Sequence, residues 1–205
     1  MSVHPSSTAK PLIYLASASP RRSALLAQIG VAHQIAPVAV DESVASAEAP
    51  ATYVTRLAAL KAETLWRRLT EPDRLPVLGS DTTVVVDNSI LGKPADEDEC
   101  VRMLQQLSGR THQVHTAVAL RSAAGSDVRL SISEVTFREL SMTEMRGYWR
   151  TGEPADKAGG YAVQGRAAIF ISRISGSYSG IMGLPLFETA ELLAAQKITI
   201  GAFQG

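Results

Sequence analysis

Cysteine is almost missing from this chain. Its 205 residues contain one, Cys100, so no internal disulfide framework can form. This suits a reducing compartment, and the expected location is the cytoplasm. Cys100 falls in a helical pattern, where a lone cysteine reads as a small packed residue. Net charge is also missing. Lys plus Arg and Asp plus Glu both number 20, which argues against wholesale nucleic-acid binding. Aromatics make up only 5%, too few for a base-stacking platform. No segment approaches the roughly 18 apolar residues of a membrane span. The polar stretch Met1–Lys10 lacks a signal-peptide core and reads as a loose tail ahead of a single domain, 11–205.

Several motifs are absent too. Leu91-Gly-Lys-Pro94 lacks the loop and hydroxyl of a phosphate-binding P-loop, and no Gly-x-Gly-x-x-Gly follows the first strand. Gly176-Ser-Tyr-Ser-Gly180 has Tyr178 where a nucleophile elbow needs serine. His112 and His115, three apart on an expected strand, face opposite sides and make a poor metal pair.

What is present is an ordinary globular composition, 45% hydrophobic, in which apolar runs alternate with helical patterns. Strands are expected at 11–16, 33–40, 77–86, 90–91, 111–121, 128–140, 161–164 and 167–174. The 77–86 run is broken by Gly79-Ser-Asp81, and Asp87-Asn88-Ser89 forms a hairpin turn. Helices are expected at 21–29, 52–69, 96–108, 143–150 and 184–195, and Pro72 and Pro76 bracket a turn. The order is not a regular βαβ repeat. It describes a mixed α/β domain with a long sheet and several hairpins.

The first strand ends in Leu15-Ala-Ser-Ala-Ser-Pro-Arg-Arg22. Ser19 suits an N-cap and Pro20 the first helical position, which puts Arg21 and Arg22 in the first turn. Cations there oppose the helix dipole, at a cost of about 0.3–1 kcal/mol each. Either the two arginines point away into water, or an anion, most often a phosphate, sits on the free N–H groups and the two guanidiniums and removes that conflict. Asp81 sits within a strand that otherwise reads as buried, a costly place for a carboxylate without a partner. Lys93 follows the hairpin, Lys61 lies in the long helix, and Glu42 follows the second strand. Each alone reads as a surface charge. Together with Arg21 and Arg22 they suit a polyphosphate bound with a divalent cation, Mg²⁺ or Mn²⁺.

The segments Leu15–Arg22, Gly79-Ser-Asp-Thr-Thr83, Leu91–Pro94, Ser108-Gly-Arg-Thr-His112, Asp156–Gly165, Gly176-Ser-Tyr178 and Gly183-Leu-Pro185 resemble, in order, the motifs of the Maf family. These are nucleoside triphosphate pyrophosphatases first named as septum-formation inhibitors. The resemblance implies an elongated mixed sheet with flanking helices and two lobes around a cleft, related to the inosine triphosphate pyrophosphatases. It implies a catalytic role for Asp81 as proton acceptor, with Glu42 beside it on a metal. Arg21, Thr82 and Gln164 match positions that set substrate preference, and Arg22, Lys61 and Lys93 match the charged cleft. Tyr161-x-x-Gln164-Gly165 is similar to the subgroup acting on dTTP and UTP. Ser80 stands where alanine is common, a departure expected to leave the chemistry alone. The alternatives are a pyrophosphatase for 7-methyl-GTP or another modified nucleotide, and a nucleotide-binding regulator of cell division. The expected partner is a nucleoside triphosphate, with neither nucleic acid nor membrane. An exposed sheet face or the last helix offers a surface for a homodimer.

Overall fold

The computed structural model describes residues 10–71 and 74–200. The expected tail apart from Lys10, and Pro72 of the expected turn, lie outside the described residues. In chain order the elements are β1 (Ile13–Leu15), α1 (Pro20–Gln28), β2 (His33–Ile35), α2 (Pro50–Arg68), β3 (Val77–Val86), β4 (Ser89–Leu91), α3 (Glu97–Leu107), β5 (Thr111–Ser122) and β6 (Gly125–Phe137). There follow α4 (Met142–Trp149), β7 (Ile171–Ser175), α5 (Tyr178–Met182) and α6 (Leu186–Ala195). Short 3₁₀ turns at 153–156, 158–160 and 166–170 lie between α4 and β7.

The strands form one seven-stranded mixed sheet in the order β2-β1-β3-β5-β6-β7, with β4 paired to β3. β1 runs parallel to β2 and β3, and the other pairs are antiparallel. β3 and much of β5 are covered on both faces, so they read as near-continuous apolar runs. One face is covered by α2, whose Val54, Leu57, Ala58, Ala62 and Leu65 pack with Val77, Ala117 and Ala119. On the other face, α1 and α6 cover Leu78, Val118 and Leu120. Further along that face, α3 and α4 cover Val84, Val86, Val114 and Val135. These two cores share one face of the sheet.

β3 is unbroken through Gly79-Ser-Asp81, contrary to the sequence expectation. The three residues that look like a break each have a tertiary reason to be there. Gly79 lies under α2, where a Cβ would fall 2.3 Å from the Ala58 carbonyl oxygen. The Ser80 hydroxyl lies 2.9 Å from the carbonyl oxygens of both Ala117 and Gly183. Asp81 is paired with Lys61 of α2. At the far end of β3, Asp87 and Asn88 have φ of 49° and 61°, the two left-handed positions of a type I′ hairpin turn.

Other expectations shift in detail. β2 is confined to Val31's neighbours His33–Ile35, because only those residues register against β1. Tyr161–Gln164 is a turn rather than a strand, and 166–170 forms a 3₁₀ turn before β7 begins. Gly176–Gly180, unassigned in the sequence reading, leads into α5, whose start is capped by the Ser177 hydroxyl accepting from the Gly180 N–H. Ser19 does sit at the N-cap of α1 and Pro20 at N1, but the Ser19 side chain makes no cap bond. Cys100 is fully buried, and burial pushes its thiol up to about 11, which leaves it an inert packed residue.

Candidate active site

The strand order creates the site. β1 pairs β3 only through Val77 and Leu78, and β4 rejoins the same side of β3 at Val84. Between them, among the described residues, β3 has β5 on one side and no strand on the other. A cavity of about 610 Å³ opens along this gap. It is lined by the chain leaving β1, the start of α1, residues 81–84 of β3, the loop after β4, and the segment 156–164. Its volume falls in the range of small-molecule sites, about 300–1,000 Å³.

All eight residues named from the sequence line this one cavity: Arg21, Arg22, Glu42, Lys61, Asp81, Thr82, Lys93 and Gln164. Asp81, 7% exposed, has Oδ1 2.7 Å from Lys61 Nζ, and Lys61 Nζ lies 2.6 Å from Glu42 Oε1. One ammonium therefore holds two carboxylates from different elements. Burial raises the Asp81 carboxyl above its ordinary range, with Lys61 and Arg22 opposing the shift. For Glu42, burial pushes the same way, but Lys61, Lys93 and Arg22 outweigh it and the carboxyl is held low. The tyrosine hydroxyl of Tyr53 donates to the Glu42 carbonyl at 3.0 Å and anchors that loop to α2.

Arg22 is half-buried and fixed at three points. Nε donates to the Gly183 carbonyl (2.8 Å), one terminal nitrogen to Ser17 Oγ (3.0 Å), and the other to Thr82 Oγ1 (3.3 Å). None of these partners is an anion, so the guanidinium's charge is not neutralised by its hydrogen bonds. Thr82 Oγ1 also lies 3.0 Å from the Thr116 hydroxyl, within hydrogen-bond distance. Its oxygen is thus engaged within the protein, and it acts on the cavity by orienting Arg22. Ser80 and Arg22 share the Gly183 carbonyl, so the serine at 80 ties β3 to the same anchor as the arginine.

Arg21 reaches Asp156 across the cleft at 3.6 Å, and Lys157 also pairs with Asp156. Lys93 makes no ion pair among the described residues, and its loop is held by the Gly159 N–H donating to the Gly92 carbonyl at 2.9 Å. Gly159 is required there, since a Cβ would lie 2.8 Å from the Val84 side chain. Gln164 is exposed on the turn at the cavity rim. Beneath that turn, Tyr161 is hydrogen-bonded to His112 Nε2 at 2.8 Å and packs edge-on against Phe137. His112 serves packing, as expected, and burial lowers its pKa to about 4.

Sequence reasoning missed Ser17 and Tyr53 as cleft residues with defined contacts. Asp156-Lys157 reads from the sequence either as a surface ion pair or as part of the cleft, with the cleft preferred, and both residues line the cavity. Counting the lining side chains, five cations (Arg21, Arg22, Lys61, Lys93, Lys157) face three carboxylates (Glu42, Asp81, Asp156). A neutral protein has gathered an excess of positive charge in one cleft.

A divalent cation fits this donor set in one way. Among the described residues no three His, Cys, Asp or Glu side chains gather as an all-protein cage. Two carboxylates, Asp81 and Glu42, share Lys61. That number of ligands suits Mg²⁺, which is commonly held by one or two carboxylates together with substrate phosphates.

Fold and cleft together define the class: an α/β protein with a cationic cleft for a phosphorylated ligand, centred on one buried carboxylate. The chain belongs to the Maf family, whose "Maf-like protein" pattern matches residues 12–196. It is 54% identical to the dTTP/UTP pyrophosphatase of Alkalilimnicola ehrlichii, covering 90% of this chain and 92% of that one. The dTTP/UTP pyrophosphatases of Saccharophagus degradans (53%) and Methylobacillus flagellatus (55%) match over 92% and 94% of this chain, and 90% and 96% of their own. Among solved structures, the Staphylococcus aureus Ham1 protein shares the fold at 12% identity, with a TM-score of 0.50. That likeness covers 90% of this chain and 97% of the other. No helix among the described residues is long and apolar enough to cross a membrane.

Proposed function

We infer that this protein is a nucleoside triphosphate pyrophosphatase that hydrolyses dTTP and UTP to the monophosphate and pyrophosphate. The observation that carries the reading is Asp81: a buried carboxylate at the open stretch of β3, tied to Lys61, in a cavity where five cations face three carboxylates. The names of the relatives supply the nucleotides. A cytoplasmic setting, where these triphosphates are made and used, completes the reading.

Water attacks the α-phosphorus and pyrophosphate leaves. Asp81 Oδ1 is taken by Lys61, and Oδ2, with no hydrogen bond among the described residues, is left to take the proton of the attacking water or to ligate the cation. Burial raises the pKa of Asp81, which brings it nearer to that of a useful base at neutral pH. Arg21, Arg22, Lys93 and Lys157 offer positive charge to the phosphates and to the leaving pyrophosphate. Asp81 and Glu42 would hold the divalent cation. Bound there, it would neutralise phosphate charge and act as a Lewis acid. The ion pair to Lys61 keeps both carboxylates in place before any ligand arrives.

The expected result with a panel of triphosphates is pyrophosphate release from dTTP and UTP well above that from ATP, GTP and CTP, with Mg²⁺ or Mn²⁺ required and a chelator abolishing it. Orthophosphate as the product, or equal rates across the panel, overturns the reading. Gln164 can accept from N3–H and donate to O4 of thymine or uracil. Gln164→Glu keeps the acceptor and turns the donor into a second acceptor facing O4. A loss of about tenfold or more in kcat/KM for both substrates is expected, on the order of one or two hydrogen-bond penalties. Unchanged relative rates across nucleotides would remove Gln164 from base recognition.

The pH dependence follows from the sign of the Asp81 shift. The base must be ionised, so kcat/KM falls as pH drops through its pKa in the free enzyme, and burial has moved that pKa above the ordinary 3.8. The acid limb of kcat/KM should therefore lie above pH 3.8 in wild type. A rate that stays flat down to that value would exclude Asp81 as the titrating base.

A further inference from the structure

The turn that carries Gln164 is held from behind by two side chains that do not line the cavity, Tyr148 and Glu153. Tyr148 is buried on α4 and packs edge-on against Phe170, with ring centroids 5.3 Å apart. Its hydroxyl accepts from the Ala162 N–H at 3.2 Å and donates to Glu153 Oε1 at 2.7 Å. Glu153 Oε2 accepts from the Arg166 N–H at 3.0 Å, and Oε1 lies 3.4 Å from the Ala167 amide nitrogen. Backbone amides two residues before and two residues after Gln164 thus end on one tyrosine–carboxylate pair.

The fit is tight at residue 165. A Cβ on Gly165 would lie 2.3–2.5 Å from the Glu153 carboxylate atoms, so only glycine can stand there while Glu153 is in place. The glycine that follows Gln164 therefore marks the seat of Glu153, whose carboxylate takes the space a side chain would fill. Ionisation suits the arrangement. Burial pushes the Glu153 carboxyl up, but the two amides and the Tyr148 hydroxyl outweigh it and hold it low. Burial also raises the Tyr148 hydroxyl, which therefore remains a donor at neutral pH.

We propose that Tyr148 and Glu153 are positioning residues for nucleobase recognition: they fix the 161–165 turn in one conformation and so present Gln164 to the cavity with a defined geometry. The proposal rests on the reading of Gln164 as the contact to the base. Asp81, Lys61 and Arg22 stand on β3, α2 and α1 and share no hydrogen bond with this relay. Loosening the turn therefore weakens base selection while leaving the phosphate chemistry intact.

The test uses Tyr148→Phe and Glu153→Ala, with Glu153→Gln alongside as a variant that keeps the shape and replaces one acceptor by a donor. Steady-state kinetics on dTTP, UTP and GTP are read with binding of α,β-methylene analogues of the same nucleotides. The expected result is a KM for dTTP and UTP raised about tenfold, the effect of roughly one lost hydrogen bond, with kcat within about threefold of wild type. The preference for dTTP over GTP narrows by a similar factor. Gly165→Ala is expected to be severely impaired in the wild-type background and tolerated beside Glu153→Ala, because the carboxylate it collides with is gone.

Variants that fold and keep the wild-type preference overturn the positioning role alone. So does a parallel fall of kcat, kcat/KM and thermal stability in all three, the pattern of general destabilisation. A wild type that binds the thymine and uracil analogues selectively but releases no pyrophosphate overturns the catalytic reading, and the relay is then judged on the binding ratios of the variants. A wild type with no preference among bases overturns both.

Discussion

Asp81→Asn is expected to lower pyrophosphate release from dTTP by about a thousandfold, within the range of about 10²–10⁴ for removing a positioned general base. Asparagine matches aspartate in size, and its carbonyl oxygen can still accept from Lys61. It cannot take a proton. Lys61 is not stranded by the change, because Glu42 remains 2.6 Å from its ammonium. The buried-pair penalty that usually accompanies loss of one partner is therefore softened. The variant should fold, bind nucleotide and fail to turn it over. The comparison is kcat together with a thermal melt. Activity within a few-fold of wild type would rule out an essential carboxylate at this position. The same variant separates an enzyme from a nucleotide-binding regulator: in cells, a function that survives Asp81→Asn depends on binding rather than hydrolysis.

Gly79→Ala should be among the most damaging small substitutions in the chain. The added Cβ would lie 2.3 Å from the Ala58 carbonyl oxygen and 2.8 Å from the Ala62 amide nitrogen, both backbone atoms of α2. A flexible side chain could move aside, but a helix backbone cannot without carrying its packed face with it. That face includes Leu57, Ala58 and Ala62, all fully buried. Overpacking of this kind costs about 3 kcal/mol. In a domain of this size that lowers Tm by roughly 10 °C. The effect reaches the site as well, because α2 carries Lys61. An outward shift of the helix draws the ammonium away from Asp81, so turnover should fall in the protein that remains folded. A melting temperature within a couple of degrees of wild type would show that α2 and β3 are not packed as closely as described.

These two positions show what a sequence can and cannot disclose. Asp81 was conspicuous because a carboxylate inside an apolar run needs a partner. The partner itself, twenty residues earlier on a helix, has no mark in the sequence beyond being a lysine. Gly79 was taken as part of a break in the strand, since glycine, serine and aspartate in succession are poor strand residues. Each is there for a contact made across the sheet: a helix backbone for Gly79, two carbonyls for Ser80 and an ammonium for Asp81. Local propensity gave way to packing. The segment after Gly160 failed in the opposite sense. Its apolar residues suggested strands, but Tyr161, Ala162 and Val163 are buried in a turn, with Tyr161 bound to His112 and the Ala162 amide to Tyr148. Apolar character reports burial, and burial alone does not choose between a strand and a packed turn.

The sequence by itself determined the class of the fold, the strongly patterned helices and hairpins, the family, and the eight side chains that meet in the cleft. Those depend on hydrophobic period, on turn chemistry and on motifs, all of which are written along the chain. Only the tertiary structure decided how the eight divide their work. Lys61 joins Glu42 to Asp81, Thr82 serves Arg22 rather than facing the cavity alone, and Glu153 sets the turn beneath Gln164. These pairings run between residues up to 161 positions apart, as for Arg22 and Gly183. Such contacts are fixed by the gap that β1 and β4 leave along β3, and strand pairing at that distance has no local signature.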